Sequence, residues 1–139
     1  MGDRTVETRL RVRYAETDQM GVVYYANYLV WMEVARTDFC RQSGFRYRDM
    51  EVAEGIAIAV AQVQCRYRAP ARYDDEILVR TTLERLKPKT LDFAYAVENL
   101  ETGVLLAEGM TMHVAIDGNG RPRAIPEPYL TLLAAWVSR

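Results

Sequence analysis

A single stretch of helical spacing sits inside a chain otherwise patterned as strands. From Tyr28 to Ser43 the apolar positions Tyr28, Trp31, Met32, Ala35 and Phe39 recur at steps of three and four, which sets them on one stripe of a helix. Asn27 is the expected N-cap and Gly44 the expected residue just past the C-terminus. At 1.5 Å per residue this is a rod of roughly 24 Å. One wide apolar stripe with no second long helix to pack on needs a sheet to cover it.

The remainder of the chain supplies that sheet. Residues 5–14 alternate, with Val6, Leu10, Val12 and Tyr14 on one face and Arg9, Arg11 and Arg13 on the other. Arg46 to Glu54 is a short helical or irregular connection. Ile56 to Tyr67 is rich in Val, Ile and Ala, and Pro70 with Tyr73-Asp74-Asp75 ends it in a turn. Glu76 to Leu86 alternates around Ile77, Val79 and Leu83, and Lys87-Pro88-Lys89 interrupts it. Thr90 to Leu100 and Val104 to Ile116 are two long strands joined by Glu101-Thr102-Gly103, which suits a hairpin. A turn at Asp117-Gly118-Asn119-Gly120 and a short helix over Pro128 to Val137 complete the chain. The order predicts an α+β fold over residues 1–139, one long helix wrapped by a five-stranded antiparallel sheet. Strands of this length span roughly 33 Å at 3.3 Å per residue. Such a sheet leaves open edges, and pairing two copies edge to edge removes them. A homo-oligomer is therefore expected, as a dimer or a dimer of dimers.

Composition narrows the chemistry. A 139-residue chain with 50% apolar and 27% charged residues is an ordinary globular domain. A net charge of −1 gives no basic field for nucleic acid. No apolar run approaches the roughly 20 residues that span a bilayer. Cys40 and Cys65 form no CxxC pair, and a lone His113 does not complete a zinc set, so no metal is expected. Two lone thiols and no export signal in the opening residues point to the reducing cytoplasm.

The chemistry concentrates in Tyr14-Ala15-Glu16-Thr17-Asp18-Gln19-Met20-Gly21-Val22-Val23-Tyr24-Tyr25-Ala26-Asn27-Tyr28, where the first strand hands over to the long helix. The free N–H groups of a helix start carry partial positive charge and polarise a carbonyl oxygen. Asp18 lies just upstream, and Gly21 lets the backbone turn or approach a ligand. A carboxylate beside such a helix end is what hydrolysis of an activated carbonyl requires.

These residues resemble a known family. Tyr-x-Glu-Thr-Asp-x-x-Gly-Val-Val-Tyr, then Ala-Asn-Tyr, then Glu33-x-x-Arg36 look like the acyl-CoA thioesterases of the hotdog superfamily. They resemble two branches of it, the Tol-Pal-associated acyl-CoA thioesterase and bacterial 4-hydroxybenzoyl-CoA thioesterase. The likeness continues through Tyr67-Arg68-Ala69-Pro70-Ala71-Arg72-Tyr73-Asp74-Asp75 and Arg121-Pro122-Arg123-Ala124-Ile125-Pro126. It implies the hotdog fold and hydrolysis of an acyl-CoA thioester. It also implies that Asp18 is the catalytic carboxylate, acting either as nucleophile or as general base. Tyr25 takes the second catalytic position; the Tol-Pal branch usually has His there and the 4-hydroxybenzoyl branch Tyr. A backbone N–H near residue 25 then polarises the carbonyl. Gly21, Val22, Tyr24 and Tyr28 are the expected substrate-binding residues, and the tyrosines suit an aromatic or short acyl chain.

Coenzyme A enters as part of the substrate, and no cofactor is implied. Its phosphates call for cations. The likeness assigns this to the two loops that carry Lys87 and Lys89 around Pro88, and Arg121 and Arg123 after the turn. His113, alone on a strand, is expected to be structural, and Cys40 and Cys65 to be packing residues. Trp31, Met32 and Phe39 are core or pocket lining. Glu33 pairs with Arg36 at i,i+3 or, as in another branch of the fold, rivals Asp18. Two other functions compete: a hydroxyacyl-thioester dehydratase, which the absence of His from the long helix opposes, and a non-catalytic acyl-CoA-binding module.

Overall fold

The computed structural model describes residues 4–138; residues 1–3 and 139 of the expected unit lie outside it. Five strands form one antiparallel sheet: β1 (Thr5–Arg11), β2 (Ala57–Tyr67), β3 (Glu76–Leu86), β4 (Thr90–Asn99) and β5 (Leu105–Ile116), in the order β1-β3-β4-β5-β2. The long helix α1 (Asn27–Ser43) lies against β1 and β3, and its Met32 reaches over to Gly109 of β5. Short helices α2 (Tyr47–Glu54) and α3 (Tyr129–Ala134) flank it. This is the expected hotdog arrangement.

The alternation of the sequence becomes the two faces of the sheet. Leu91, Phe93, Tyr95 and Val97 of β4 are buried while their neighbours are half-exposed, and β3 buries Ile77, Val79, Thr81 and Leu83. All five residues of the predicted helical stripe are buried: Tyr28, Trp31, Met32, Ala35 and Phe39. The question of core or pocket lining is answered for Trp31, Met32 and Phe39, which are at most 2% exposed and belong to the core cluster. Burial of side chains this size contributes about 2–3 kcal/mol each.

Three local expectations are corrected. β1 ends at Arg11, and residues 14–16 form a 3-10 turn, so Tyr14 leaves the buried face and is 77% exposed. Ala26, not Asn27, is the N-cap of α1, and the Asn27 side chain instead donates to the Glu16 carbonyl at 2.8 Å. No ion pair joins Glu33 to Arg36 among the described residues; Arg36 donates to the Tyr95 hydroxyl at 3.3 Å.

β2 differs from the other strands. It pairs with β5 alone, and among the described residues no strand covers its second edge. Val60 and Val63 are 48% and 40% exposed there. An eleven-residue edge with exposed valines invites pairing with another strand.

Candidate active site

The loop between β1 and α1 is built around Glu16. Its carboxylate is buried and accepts three hydrogen bonds, from the Arg13 backbone N–H at 2.8 Å, the Trp31 indole N–H at 3.0 Å and the Arg13 guanidinium at 3.4 Å. Its carbonyl accepts the Tyr24 N–H at 2.9 Å and the Asn27 amide. One residue thus ties the 3-10 turn to the body and start of α1. Beyond it the chain folds back on itself: the Asp18 N–H donates to Val22 O at 2.9 Å and the Gly21 N–H to Asp18 O at 3.0 Å. Asp18 Oδ1 accepts the Met20 N–H at 2.8 Å, a side-chain turn that fixes the carboxylate. Gly21 takes φ +78°, which favours glycine, and so closes this turn. The Val23 N–H donates to Ala71 O, anchoring the far side of the loop.

The loop, the start of α1 and the end of β2 enclose a pocket of about 340 Å³ lined by Asp18, Met20, Val22, Tyr25, Tyr28 and Tyr67, with Arg68 to Pro70 completing its wall. Asp18 is half-buried, with Oδ1 engaged and no donor to Oδ2 among the described residues. The Tyr25 and Ala26 N–H groups likewise have no acceptor among the described residues. A free carboxylate oxygen thus shares a pocket with a tyrosine whose N–H is unengaged at the start of a seventeen-residue helix.

Aromatic rings crowd this pocket. Tyr67 meets Tyr28 edge-on at 5.1 Å and Tyr25 at 6.3 Å, and Tyr24 packs on Tyr25 at 4.7 Å. Burial pushes the Tyr28 and Tyr67 phenols up, and the hydrogen bond to Tyr25 raises that of Tyr24, so all three are neutral donors at ordinary pH. Of the expected substrate residues, Val22 and Tyr28 line the pocket, whereas Gly21 shapes the turn and Tyr24 packs behind Tyr25. Sequence reasoning gave no role to Tyr67 or Glu16. Tyr67 stands in the run before Pro70, and Glu16 two residues before Asp18, which is the only signal either carries.

The four expected cations gather elsewhere. The Lys89 carbonyl accepts the Ala115 N–H and the Pro88 carbonyl the Ile125 N–H, so the β3–β4 turn lies beside the segment after β5. Lys87, Lys89, Arg121 and Arg123 are all exposed at this end of the sheet, and Arg123 pairs with Asp117 at 2.9 Å. The registers show which end it is: Ala57 of β2 faces Ile116 there, while Tyr67 faces Ala107 at the other end, beside Asp18. Within one chain, the cations and the carboxylate occupy opposite ends.

Residues 12–137 match the Thioesterase-like superfamily, and the chain is 35% identical, over 85% of its length and 87% of the relative's, to the acyl-CoA thioester hydrolase YbgC of Escherichia coli O6:H1. It belongs to the Thioesterase-like superfamily. Solved structures share its fold closely. A hypothetical protein from Thermus thermophilus, TT1821, is 43% identical with a TM-score of 0.87, covering 94% of this chain and 98% of that one. A DHNA-CoA thioesterase from Staphylococcus aureus is 32% identical with a TM-score of 0.88, covering 95% and 88%.

The remaining candidates of this thioesterase-like chain, Glu33, Cys40, Cys65 and His113, do not line the Asp18 pocket. Glu33 is exposed on α1 and faces a separate cavity of about 160 Å³ with Arg36, Thr37 and Cys40. Burial pushes the Cys40 thiol up to about 12 and raises that of Cys65, so neither is a ready nucleophile. His113 is 1% exposed; its Nε2 lies 2.7 Å from the Thr111 hydroxyl, and its Nδ1 has no partner among the described residues. Burial, with Arg36 nearby, pushes it down to about 4, which keeps the ring neutral.

Proposed function

We propose that this chain is an acyl-CoA thioesterase that hydrolyses a short or aromatic acyl thioester to the free acid and coenzyme A. Asp18 is its catalytic carboxylate, acting as nucleophile or as general base toward water. The carbonyl oxygen lies against the N–H of Tyr25 at the start of α1, which stabilises charge as it develops there. The observation that carries this reading is the shared pocket of Asp18 and Tyr25, the one with a free carboxylate oxygen and the other with a free N–H. Val22 and Tyr28 contact the acyl group, and the ring-lined wall suits an aromatic one. The named activities of relatives, acyl-CoA and DHNA-CoA hydrolysis, agree with this chemistry. No cofactor takes part, and coenzyme A enters with the substrate.

The working unit is read as a homo-oligomer built on the free β2 edge. Two copies related by a two-fold axis would pair their β2 strands antiparallel. The Tyr67 end of one strand then meets the Ala57 end of the other, which carries the second copy's cations. Lys87, Lys89, Arg121 and Arg123 of one copy would thereby hold the nucleotide phosphates of a substrate whose thioester lies at the Asp18 of the other. No helix among the described residues is long and apolar enough to cross a membrane, and a cytoplasmic setting is the natural one for acyl-CoA.

The test is thiol release from a panel of short, long and aromatic acyl-CoAs, with a substrate-free blank for Cys40 and Cys65. Native protein turns over at least one member, and Asp18→Asn loses about 100-fold or more in turnover while still binding substrate. Near-normal turnover by Asp18→Asn would refute the assignment. Binding without turnover by the native protein would point to a binding module instead.

A further inference from the structure

The Tyr25–Ala26 peptide is held from a distance. The phenol of Tyr67, at the last position of β2, donates to the Tyr25 carbonyl at 2.9 Å across 42 residues of sequence. The carbonyl's other donor, the Tyr28 N–H, is at 3.3 Å, beyond the usual range for a strong bond. A peptide unit is planar, so fixing the Tyr25 oxygen fixes the direction of the Ala26 N–H on its opposite side. Among the described residues, that N–H and the N–H of Tyr25 have no acceptor at the start of α1. The Tyr67 ring is itself braced edge-on by Tyr25 and Tyr28, and the Tyr28 hydroxyl accepts the Ala71 N–H at 3.1 Å. Because burial keeps the phenol protonated well above neutral pH, it remains a donor throughout the working range.

We propose that Tyr67 is a positioning residue for the reaction: its hydroxyl sets the plane of the Tyr25–Ala26 peptide and so aims the Ala26 N–H, as a second donor beside the N–H of Tyr25, at the carbonyl oxygen of the substrate. This rests on the thioesterase reading above. Tyr67 acts only through the backbone and makes no bond to the reacting atoms. Its contribution therefore appears as the thioester carbonyl gains charge, and not in ground-state binding.

The experiment compares native protein with Tyr67→Phe, which keeps the ring contacts and removes the hydroxyl alone. Turnover falls about 10-fold or more, while KM and inhibition by free coenzyme A stay within about twofold. The Ala26 amide resonance moves in a ¹⁵N correlation spectrum. Placing 3-fluorotyrosine at position 67, which restores the donor, restores both turnover and the resonance, and this separates positioning from any loss of folded protein. Unchanged turnover in Tyr67→Phe overturns the proposal, and so does a rise in KM with turnover intact. Should the native protein hydrolyse no thioester, the functional reading fails by itself; an Ala26 resonance unmoved by Tyr67→Phe then overturns the positioning role as well.

Discussion

The indole nitrogen of Trp31 donates a 3.0 Å hydrogen bond to Oε2 of Glu16, fastening the body of α1 to the loop that carries Asp18. Both residues are at most 5% exposed, so the carboxylate depends on its donors for solvation. Trp31→Phe keeps most of the ring volume and removes the donor. It is expected to lower stability by about 1–3 kcal/mol in urea unfolding. Turnover should fall as well, since Asp18 lies two residues beyond the loosened anchor. Wild-type stability in that variant would show that the bond is not needed.

His113 gives the fold a pH dependence. Its folded pKa is pushed down to about 4 from 6.5, so between these values the unfolded chain binds a proton that the folded chain does not. Stability is full above about 6.5 and is lost as pH falls, with on the order of 2 kcal/mol gone between pH 7 and pH 5. His113→Leu should flatten that part of the profile in denaturant titrations at a series of pH values. A native profile flat from pH 7 to 5 would contradict the assignment.

Gly109 of β5 is where the Met32 side chain of α1 presses on the sheet backbone. A Cβ built there would lie 2.4 Å from Met32 Cε and 3.0 Å from the Gln64 carbonyl oxygen. Met32 is fully buried, so it has little room to withdraw. Gly109→Ala is therefore expected to destabilise by about 1–3 kcal/mol, read as a lowered Tm. Met32→Ala in the same chain should recover part of the clash while opening a cavity of its own.

Arg121 and Arg123 stand exposed beside Lys87 and Lys89 at the far end of the sheet from Asp18. If they hold phosphates, replacing both with Gln raises KM for acyl-CoA about 10-fold or more and leaves kcat within about twofold. Added salt should weaken the native protein more than the variant, because screening acts only on charges still present. A fall in kcat with KM unchanged would place these arginines elsewhere in the reaction.

Much of the fold was legible because period and punctuation are local properties. The steps of three and four from Tyr28 to Phe39 and the alternation in Thr90–Asn99 each name their buried face directly. The misreadings at Tyr14 and Asn27 share one cause. Tyr14 lies in the β1–α1 loop and Asn27 at the first position of α1, where Glu16 captures groups that local rules assign to other roles: its carboxylate takes the Arg13 N–H, its carbonyl the Asn27 amide. Asp18 was legible from its place before the helix and from the motif around it. Tyr67 was not, because its partner Tyr25 is 42 residues away and no spacing rule links a strand end to a helix start.

The sequence by itself determined the elements, their order, and the placing of a carboxylate just ahead of the one long helix. Each of these is set by neighbours within a few residues, through periodicity, turn chemistry and side-chain shape. Only the tertiary structure decided that Tyr67 reaches the Tyr25 carbonyl, that Glu16 is a buried staple, and that β2 is left with an open edge. It also decided that the cations lie at the opposite end of the sheet from Asp18. These follow from strand order and register, which are fixed by packing one sheet around one helix and so depend on the whole chain at once.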